Sequence, residues 1–134
     1  MTEQEDVTKT LVKTASNTSD ESDDFRLELY FQRQNYSING DKLPFSVGRD
    51  KSCDIIVHNE LVSRVHCLFE LREGQVGIYD KSTNGTFVMT GRSENVRVKN
   101  TFYPLVGHGY IKLGDQIDLD DPDLMLFKVV RIPK

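Results

Sequence analysis

The sequence predicts an all-β protein, a sandwich or barrel of short strands that follows an acidic N-terminal tail. From Phe25 onward, apolar and polar residues alternate with a period of two, which is the period of a half-buried strand. Turn-forming residues interrupt these runs roughly every 8–12 residues, as in sandwiches and barrels. No segment carries the apolar stripe of a long helix. A length of 134 residues is enough for one such domain.

The first 24 residues are expected to form a disordered, acidic, threonine-rich tail. They contain seven acidic and two basic residues, only five apolar residues and no aromatic ring. Such a segment cannot bury enough apolar surface to offset the entropy of ordering it. A helix over Thr8–Ala15 is the competing interpretation, which its threonines and β-branched residues disfavour. The predicted boundaries are therefore 1–24 for the tail and 25–134 for the folded domain.

Strands are predicted along the whole folded part. Some segments alternate between apolar and polar residues and others are apolar runs of strand length; they are Arg26–Phe31, Asp54–Val57, Val65–Leu71, Gly77–Asp80 and Leu124–Ile132. Groups of glycine, asparagine, aspartate and serine mark the turns between them. The stretch Gly91–Pro104 has the weakest pattern, and we expect a longer, mobile connection there.

Composition and charge disfavour several classes of protein. A net charge of −4 and a pI near 5.3 argue against nonspecific binding to nucleic acid or to anionic membranes. The sequence has no apolar run of membrane-spanning length and no signal-peptide pattern, so we expect a cytoplasmic protein. Cys53 and Cys67 lie in apolar runs and are predicted to be buried thiols. Neither a metal nor another cofactor is expected.

Three polar clusters lie in turns between predicted strands, at Gly48-Arg49, Ser63–His66 and Thr83–Thr86. Loops at one end of a sandwich can converge into a binding site. Two guanidinium groups and two hydroxyl groups suit a phosphate, because hydrogen bonds to its charged oxygens are roughly twice as strong as neutral ones. These groups belong to Arg49, Arg64, Ser63 and Thr83. Asn84 adds an amide that can pair with a peptide backbone.

Each cluster also has a purely structural interpretation. Ser82–Gly85 can be a hairpin turn with positive φ at its Asn-Gly pair, Ser63 can cap a turn and Arg49 can be a solvated charge. His66 lies in a predicted strand, where a core or loop-bracing histidine is more usual than a ligand. A Ser63–His66 nucleophile–base pair is disfavoured, because residues three apart on a strand point to opposite faces. No catalytic residue is therefore predicted.

Taken together, the clusters resemble the signature of a known family. Gly48-Arg49, Ser63-Arg64-x-His66 and Asn84-Gly85-Thr86 have the order and the gaps of the forkhead-associated (FHA) domain, a module that binds phosphothreonine peptides. The resemblance covers about residues 26–133. It implies a β-sandwich of about eleven strands that binds its peptide across loops at one end. Recognition of phosphorylated motifs through arginine is an established mode of peptide binding.

The resemblance implies a role for each polar side chain. Arg49 would contact the phosphate directly, and the hydroxyl groups of Ser63 and Thr83 would donate to other phosphate oxygens. Asn84 would hold the peptide main chain next to the phosphothreonine. Arg64 would contact the peptide or the phosphate.

Other positions would support the site or tune it. Gly48 and Gly85 would provide the backbone geometry, and His66 would brace the loop that carries Ser63. The loop before Ser63, with Leu61, would read the residue three positions after the phosphothreonine. A small apolar pocket for the threonine methyl group would favour phosphothreonine over phosphoserine.

The predicted function is phosphothreonine-dependent protein–protein interaction in intracellular kinase signalling, without catalysis. The partners would be a phosphothreonine-containing protein and an upstream serine/threonine kinase, with neither nucleic acid nor membrane. A phosphate-processing enzyme is disfavoured, because no paired carboxylates or metal ligands accompany the clusters. A phosphorylation-independent scaffold, or a regulatory fragment of a larger enzyme such as a cyclase, is the alternative.

The tail itself is a candidate ligand. Thr8 and Thr18 are the candidate phosphosites, and a plain solubilising extension is the competing interpretation. The 18 residues from Thr8 to Arg26 can extend to at most roughly 60 Å. Leu61 favours Thr8, whose third following residue is apolar, whereas Arg64 would favour Thr18, whose third following residue is acidic. Both sites remain open.

Overall fold

The computed structural model describes residues 25–91 and 94–132. The predicted tail, with Thr8 and Thr18, lies outside these residues. The described chain forms one 3₁₀ turn at Gly40–Lys42 and eleven strands: β1 (Phe25–Phe31), β2 (Gln34–Ile38), β3 (Phe45–Gly48), β4 (Ile55–Ile56), β5 (Cys67–Arg72), β6 (Gln75–Asp80), β7 (Thr86–Thr90), β8 (Glu94–Val98), β9 (Phe102–Pro104), β10 (His108–Leu113) and β11 (Met125–Arg131). The prediction of an all-β fold is confirmed.

The strands form the two sheets of a sandwich. The six-stranded sheet has the order β2-β1-β11-β10-β7-β8, and the five-stranded sheet has the order β4-β3-β5-β6-β9. Strand β3 pairs in parallel with β4 and antiparallel with β5. Both sheets lie largely within one compact unit, Leu27–Val129. The described residues outside that unit are the first two of β1 and residues 130–132.

The core consists of the inward-facing residues of both sheets. In β1 every second residue is buried, as the alternating pattern predicted. Leu27 and Leu29 of the six-stranded sheet and Phe69 and Ile78 of the five-stranded sheet are among the fully buried side chains. Burying each such side chain contributes about 1.5–3 kcal/mol. This core holds the strands rigid and so fixes where the connecting loops begin and end.

The two cysteines are buried free thiols, as predicted. Cys53 and Cys67 form no disulfide, and both lie in the apolar interior. Burial raises the pKa of Cys67 far above its usual value. A thiol that stays protonated is a poor nucleophile, so Cys67 contributes packing rather than chemistry.

The prediction of a long mobile connection over Gly91–Pro104 is wrong. This stretch contains β8 and β9, which pair with β7 and β6 respectively. Each lies at the edge of its sheet, where a strand has one paired neighbour. An edge strand can expose polar residues along much of its length, which weakens the alternation visible in the sequence.

Two further local predictions need correction. Strand β5 begins at Cys67 rather than Val65, so His66 lies in the preceding loop. Ser82–Gly85 is not a hairpin turn, because β6 and β7 belong to different sheets and the segment crosses between them. Within it only Gly85 has a positive φ, of 93°. Both departures arise because the loops follow tertiary contacts that local sequence does not encode.

Candidate functional site

Loops of the sandwich bring the predicted polar residues together. We call the loop site the set formed by Arg49, Ser63, Arg64, Thr83 and Asn84. The main-chain nitrogen of Arg49 donates to the carbonyl of Ser63 at 3.0 Å, and that of Asp50 donates to the carbonyl of Arg64 at 3.0 Å. These bonds join the loop after β3 to the loop before β5, so Arg49 and Ser63 are neighbours although 14 positions separate them in the chain.

Arg49 is exposed, and one end of its guanidinium is tied to the neighbouring loop. Its Nε donates to the carbonyl of Val62 at 2.7 Å. Among the described residues, no group accepts a hydrogen bond from its two terminal amino groups, and no carboxylate pairs with it. The guanidinium is therefore oriented by the protein while its terminal donors remain available to an anion.

Gly48 allows the close approach of these two loops. A Cβ atom at this position would lie 2.1 Å from the carbonyl oxygen of Arg64 and 2.9 Å from the nitrogen of His66. Any larger residue would push β3 away from the loop that carries Ser63. The glycine is required here by space, because its φ is not positive.

A single hydroxyl group links Ser63 to the third loop. The main-chain nitrogen of Thr83 donates to Oγ of Ser63 at 3.1 Å. A hydroxyl group has one proton to donate and two lone pairs, so this bond leaves the proton of Ser63 free to serve a ligand. The side chain of Thr83 is itself exposed beside it.

His66 joins the loops from beneath, and it is fully buried. Its Nδ1 accepts from the main-chain nitrogen of Ser63 at 3.0 Å, and its Nε2 lies 2.8 Å from the carbonyl of Gly85. Since a carbonyl can only accept, Nε2 carries the proton and the ring is neutral. Burial lowers the pKa of His66 and keeps it neutral, outweighing the opposite effects of Gly85 and Asp80.

This geometry changes the reason for excluding a Ser63–His66 catalytic pair. The sequence pattern predicted Ser63 and His66 on one strand, but both residues lie in the loop before β5. In the structure the two ring nitrogens of His66 bond to main-chain groups of Ser63 and Gly85. Neither ring nitrogen is left to accept the proton of the Ser63 hydroxyl, which a nucleophile–base pair requires.

Asp80 shapes the crossing between the sheets, and the sequence analysis did not identify it as a site residue. Its buried carboxylate accepts from Ser82 Oγ at 2.7 Å, Thr86 Oγ1 at 2.8 Å and the main-chain nitrogen of Asn100 at 2.9 Å. Burial alone would raise the pKa of Asp80, but these hydrogen bonds together hold it below its usual value. The sequence signal that could have identified Asp80 is the run of polar residues that directly follows β6.

Asn84 is held at both its side chain and its main chain. Its Nδ2 donates to the carbonyl of Leu61 at 2.9 Å, and its own carbonyl accepts from Arg97. Among the described residues no group donates to its Oδ1, so this oxygen can accept from a peptide nitrogen. Leu61 exposes its side chain at the same edge of the site.

Gly114 supports the same region from the loop after β10. Its nitrogen donates to the carbonyl of Gly85 at 2.9 Å. A Cβ atom there would lie 2.4 Å from the carbonyl oxygen of Leu61, and its φ is 83°. A glycine in this conformation lets the loop after β10 pack directly against Leu61 and Gly85.

Arg64 completes the loop site. Its side chain is exposed, and its carbonyl accepts from the main chain of Asp50 and from Sγ of Cys53 at 3.2 Å. The pKa of Asp50 is lowered chiefly by hydrogen bonds from Ser52, with a smaller effect of Arg64. Both Arg49 and Arg64 are exposed, and neither forms an ion pair with a carboxylate among the described residues.

The loop site has the chemistry of an anion-binding surface. It presents charged and neutral donors, and no general base accompanies them. Within residues 25–91 and 94–132, no group of histidine, cysteine and acidic residues could hold a metal ion. In the same part of the chain, no helix is long and apolar enough to cross a membrane. A β-sandwich that presents such donors on its loops has the form of a binding module.

Comparison with known families identifies the class of module. The family model for the FHA domain matches residues 45–119, which include every residue of the loop site. This match covers more than half of the chain, and the chain belongs to the FHA domain family. FHA domains are interaction modules. No curated protein matches the chain.

Solved FHA domains share the fold. The FHA-1 domain of Mycobacterium tuberculosis Rv1747 is 23% identical, with a TM-score of 0.64 over 81% of this chain and 99% of that one. The N-terminal FHA domain of S. cerevisiae Rad53p, solved with a phosphothreonine peptide, is 20% identical, with a TM-score of 0.60 over 80% of this chain and 94% of that one. The MEK1 FHA domain, solved with the HOP1 pThr318 peptide, is 22% identical, with a TM-score of 0.57 over 77% and 95%. These likenesses show the β-sandwich fold that the resemblance implied.

Proposed function

We propose that this FHA domain binds phosphothreonine peptides through the loop site. The observation that carries the proposal is the orientation of Arg49. Its Nε is fixed on the carbonyl of Val62, the residue before Ser63, while its terminal amino groups remain available to a ligand. A phosphate has oxygens for both. The presence of phosphothreonine peptides in the solved Rad53p and MEK1 domains supports this choice of ligand.

The phosphate would be bound by three groups. Arg49 would donate from both terminal amino groups in a bidentate, charge-assisted arrangement. The hydroxyl proton of Ser63 would be donated to a second oxygen, since the bond from Thr83 uses only a lone pair of the hydroxyl oxygen. The exposed hydroxyl of Thr83 would donate to a third oxygen.

The peptide around the phosphothreonine would be read by the neighbouring side chains. Asn84 would accept from a peptide nitrogen through Oδ1, since its Nδ2 is already bonded to Leu61. Arg64 would contact the peptide or the phosphate. The exposed side chain of Leu61 would contact the residue three positions after the phosphothreonine.

The biological role that fits this site is a non-catalytic one in kinase signalling. A serine/threonine kinase would create the ligand, and the protein would act inside the cell beside that kinase. Neither nucleic acid nor membrane is proposed as a partner. The net charge of −4 supports this, because an acidic protein is repelled by both surfaces.

The tail is a second proposed ligand, in cis or in trans. It carries five threonines in an acidic segment, of which Thr8 and Thr18 are the candidates. Tethering would supply an effective concentration near millimolar for a suitable linker, enough to occupy a micromolar site. Kinase treatment followed by NMR of the labelled protein tests this, with shifts expected at Ser63 and Asn84. Absence of those shifts after complete phosphorylation excludes self-binding.

The main experiment titrates a phosphothreonine peptide library and its unphosphorylated counterpart. Arg49→Ala is expected to lose about 2–5 kcal/mol of binding free energy, the range for truncating one member of a desolvated charged pair. Lys128→Ala is the charge-matched control, because Lys128 is exposed on β11 rather than in the loops. Equal binding of phosphorylated and plain peptides would refute the proposal and favour a phosphorylation-independent scaffold.

A further inference from the structure

Arg97 reaches the loop site from a strand that the sequence analysis did not connect with it. It lies on β8, directly opposite Phe87 of β7, and its Cζ is 6.0 Å from the centre of the Phe87 ring. From there Nε and Nη2 donate to the main-chain carbonyl of Asn84 at 3.3 and 3.2 Å. One guanidinium thus donates two hydrogen bonds to one carbonyl of Ser82–Gly85, the segment that crosses between the two sheets.

The neighbouring carbonyls of this segment are held in the same way. Nζ of Lys99, two residues further along the chain, donates to the carbonyl of Ser82 at 2.9 Å. The carbonyl of Gly85 accepts from the His66 ring and from the Gly114 nitrogen. The carbonyl oxygens of residues 82, 84 and 85 therefore bond to protein donors, and the two cations strengthen two of these bonds. A carbonyl oxygen turned toward a bound phosphate would repel it.

Arg97 also restricts the most flexible residue of the segment. Gly85 has a φ of 93°, and a Cβ atom on it would lie 2.9 Å from Nε and 3.2 Å from Cγ of Arg97. The arginine therefore fills the space beside this glycine, which by itself has more accessible conformations than any other residue. Together these contacts restrain the main chain on both sides of the bond between Asn84 and Gly85.

We infer that Arg97 is a positioning residue for peptide recognition, acting through Asn84. By fixing the Asn84 main chain it holds the side-chain amide between the carbonyl of Leu61 and the place of the peptide. This inference rests on the proposed function of the loop site. It assigns Arg97 no contact with the phosphate, and its role is carried by the bonds from Nε and Nη2 to the Asn84 carbonyl.

A double-mutant cycle tests the inference. Titration calorimetry with one phosphothreonine peptide is performed on wild type, Arg97→Gln, Asn84→Ala and the double variant. We expect Arg97→Gln to weaken binding about tenfold, since the charge-assisted hydrogen bonds that fix the Asn84 carbonyl are lost. In the Asn84→Ala background the same change should have no further effect. An equal loss in both backgrounds would overturn the inference and indicate direct contact of Arg97 with the ligand.

Two further variants exclude simpler explanations. Arg97→Lys keeps the positive charge and an N–H donor group, so it should recover part of the lost affinity. It also keeps the inference testable if Arg97→Gln does not fold. Arg72→Gln is the matched control, because Arg72 stacks on Tyr79 and Phe102 on the other sheet. If Arg72→Gln lowers peptide affinity as much as Arg97→Gln does, then removing any stacked arginine weakens binding. That result would also overturn the inference.

NMR of the ligand-free protein separates this inference from the proposed function. The side-chain amide of Asn84 and the main-chain nitrogen of Gly85 should shift in Arg97→Gln and remain unshifted in Arg72→Gln. If wild type binds no phosphopeptide, the proposed function fails while the shifts still show whether Arg97 positions Asn84. If wild type binds and the Asn84 signals do not respond to Arg97→Gln, the inference itself is wrong.

Discussion

Thr83 donates its main-chain hydrogen to the hydroxyl oxygen of Ser63 at 3.1 Å, although 20 positions separate the two residues in the chain. The side chain predicted to bind phosphate therefore also joins two loops. Stability and ligand affinity are coupled at this hydroxyl group, and mutation will change both.

Replacing Ser63 with alanine should expose this coupling. The variant loses the hydroxyl that accepts from Thr83, which should cost about 0.5–1.5 kcal/mol of the free energy of unfolding. Phosphopeptide affinity should fall by a larger amount, about 1.5–3 kcal/mol, because the lost donor faces a charged ligand. Urea denaturation and calorimetry measure the two losses. Ser37→Ala, at an exposed position of β2, is the control and should change neither.

Gly48 should tolerate no side chain. Gly48→Ala would place Cβ 2.1 Å from the carbonyl oxygen of Arg64. We expect a loss of about 1–3 kcal/mol of the free energy of unfolding, the range for forcing an extra methyl group into a packed site. The matched control is Gly40→Ala, since a Cβ atom there meets nothing within 4 Å. If the two variants have the same denaturation midpoint, the close approach of Gly48 to the loop that carries Arg64 is contradicted.

The buried histidine should make stability depend on pH. Because burial lowers the pKa of His66 in the folded state, the unfolded chain binds a proton at a higher pH than the folded chain does. The stabilisation is fully present above about pH 6.5, the unfolded value. It falls as the pH is lowered from there toward the folded pKa, by at most about 1.4 kcal/mol per pH unit. Unfolding free energies measured between pH 7.5 and roughly 5 should show this slope.

The control for this prediction is His66→Gln, which removes the titrating group. Its absolute stability should be lower, but its pH slope in this range should be flatter than that of the wild type. His58 and His108 are exposed and remain in both proteins, so any slope they cause is common to both. Identical slopes would show that His66 titrates normally and is not held neutral.

The ligand should contain threonine in preference to serine. The resemblance implies a small apolar pocket for the threonine methyl group, and one buried methyl contributes about 0.8 kcal/mol. Changing phosphothreonine to phosphoserine in the best peptide should therefore weaken binding by less than tenfold unless geometry adds to the effect. Competition titration of the two peptides measures the ratio. A ratio of one would refute the pocket.

Sequence reasoning found the residues whose chemistry is visible locally. Arg49, Ser63 and Asn84 could be identified because their clusters combine phosphate-binding chemistry with the order and the gaps of the FHA signature. Asp80 was missed because it lies within a predicted strand, where a charged residue usually faces solvent, and Arg97 was missed because it lies in the stretch expected to be a connection. Their roles depend on which loop the fold places beside them, as with Arg97, whose carbonyl partner lies 13 positions away. Such proximity is a tertiary property.

The strands, like the site residues, were predictable where their signal is local in the sequence. Inner strands such as β1 and β5 carry alternating or continuous apolar residues, because one or both faces are covered. The sequence analysis named no separate strand at the inner strands β3, β7 and β10, and it expected a mobile connection where the edge strands β8 and β9 lie. The crossing at Ser82–Gly85 was interpreted as a hairpin because turn residues report a change of direction without reporting which sheet follows.

The hydrogen bonds of His66 have a consequence for protein engineering. They attach the loops through main-chain groups of Ser63 and Gly85, so this link does not depend on the side chains of Leu61 or Arg64. Leu61 and Arg64 can therefore be randomised in a binder library while Gly48 and His66 are kept constant. Such a library should yield variants that share one melting temperature and differ in the sequence motif they capture.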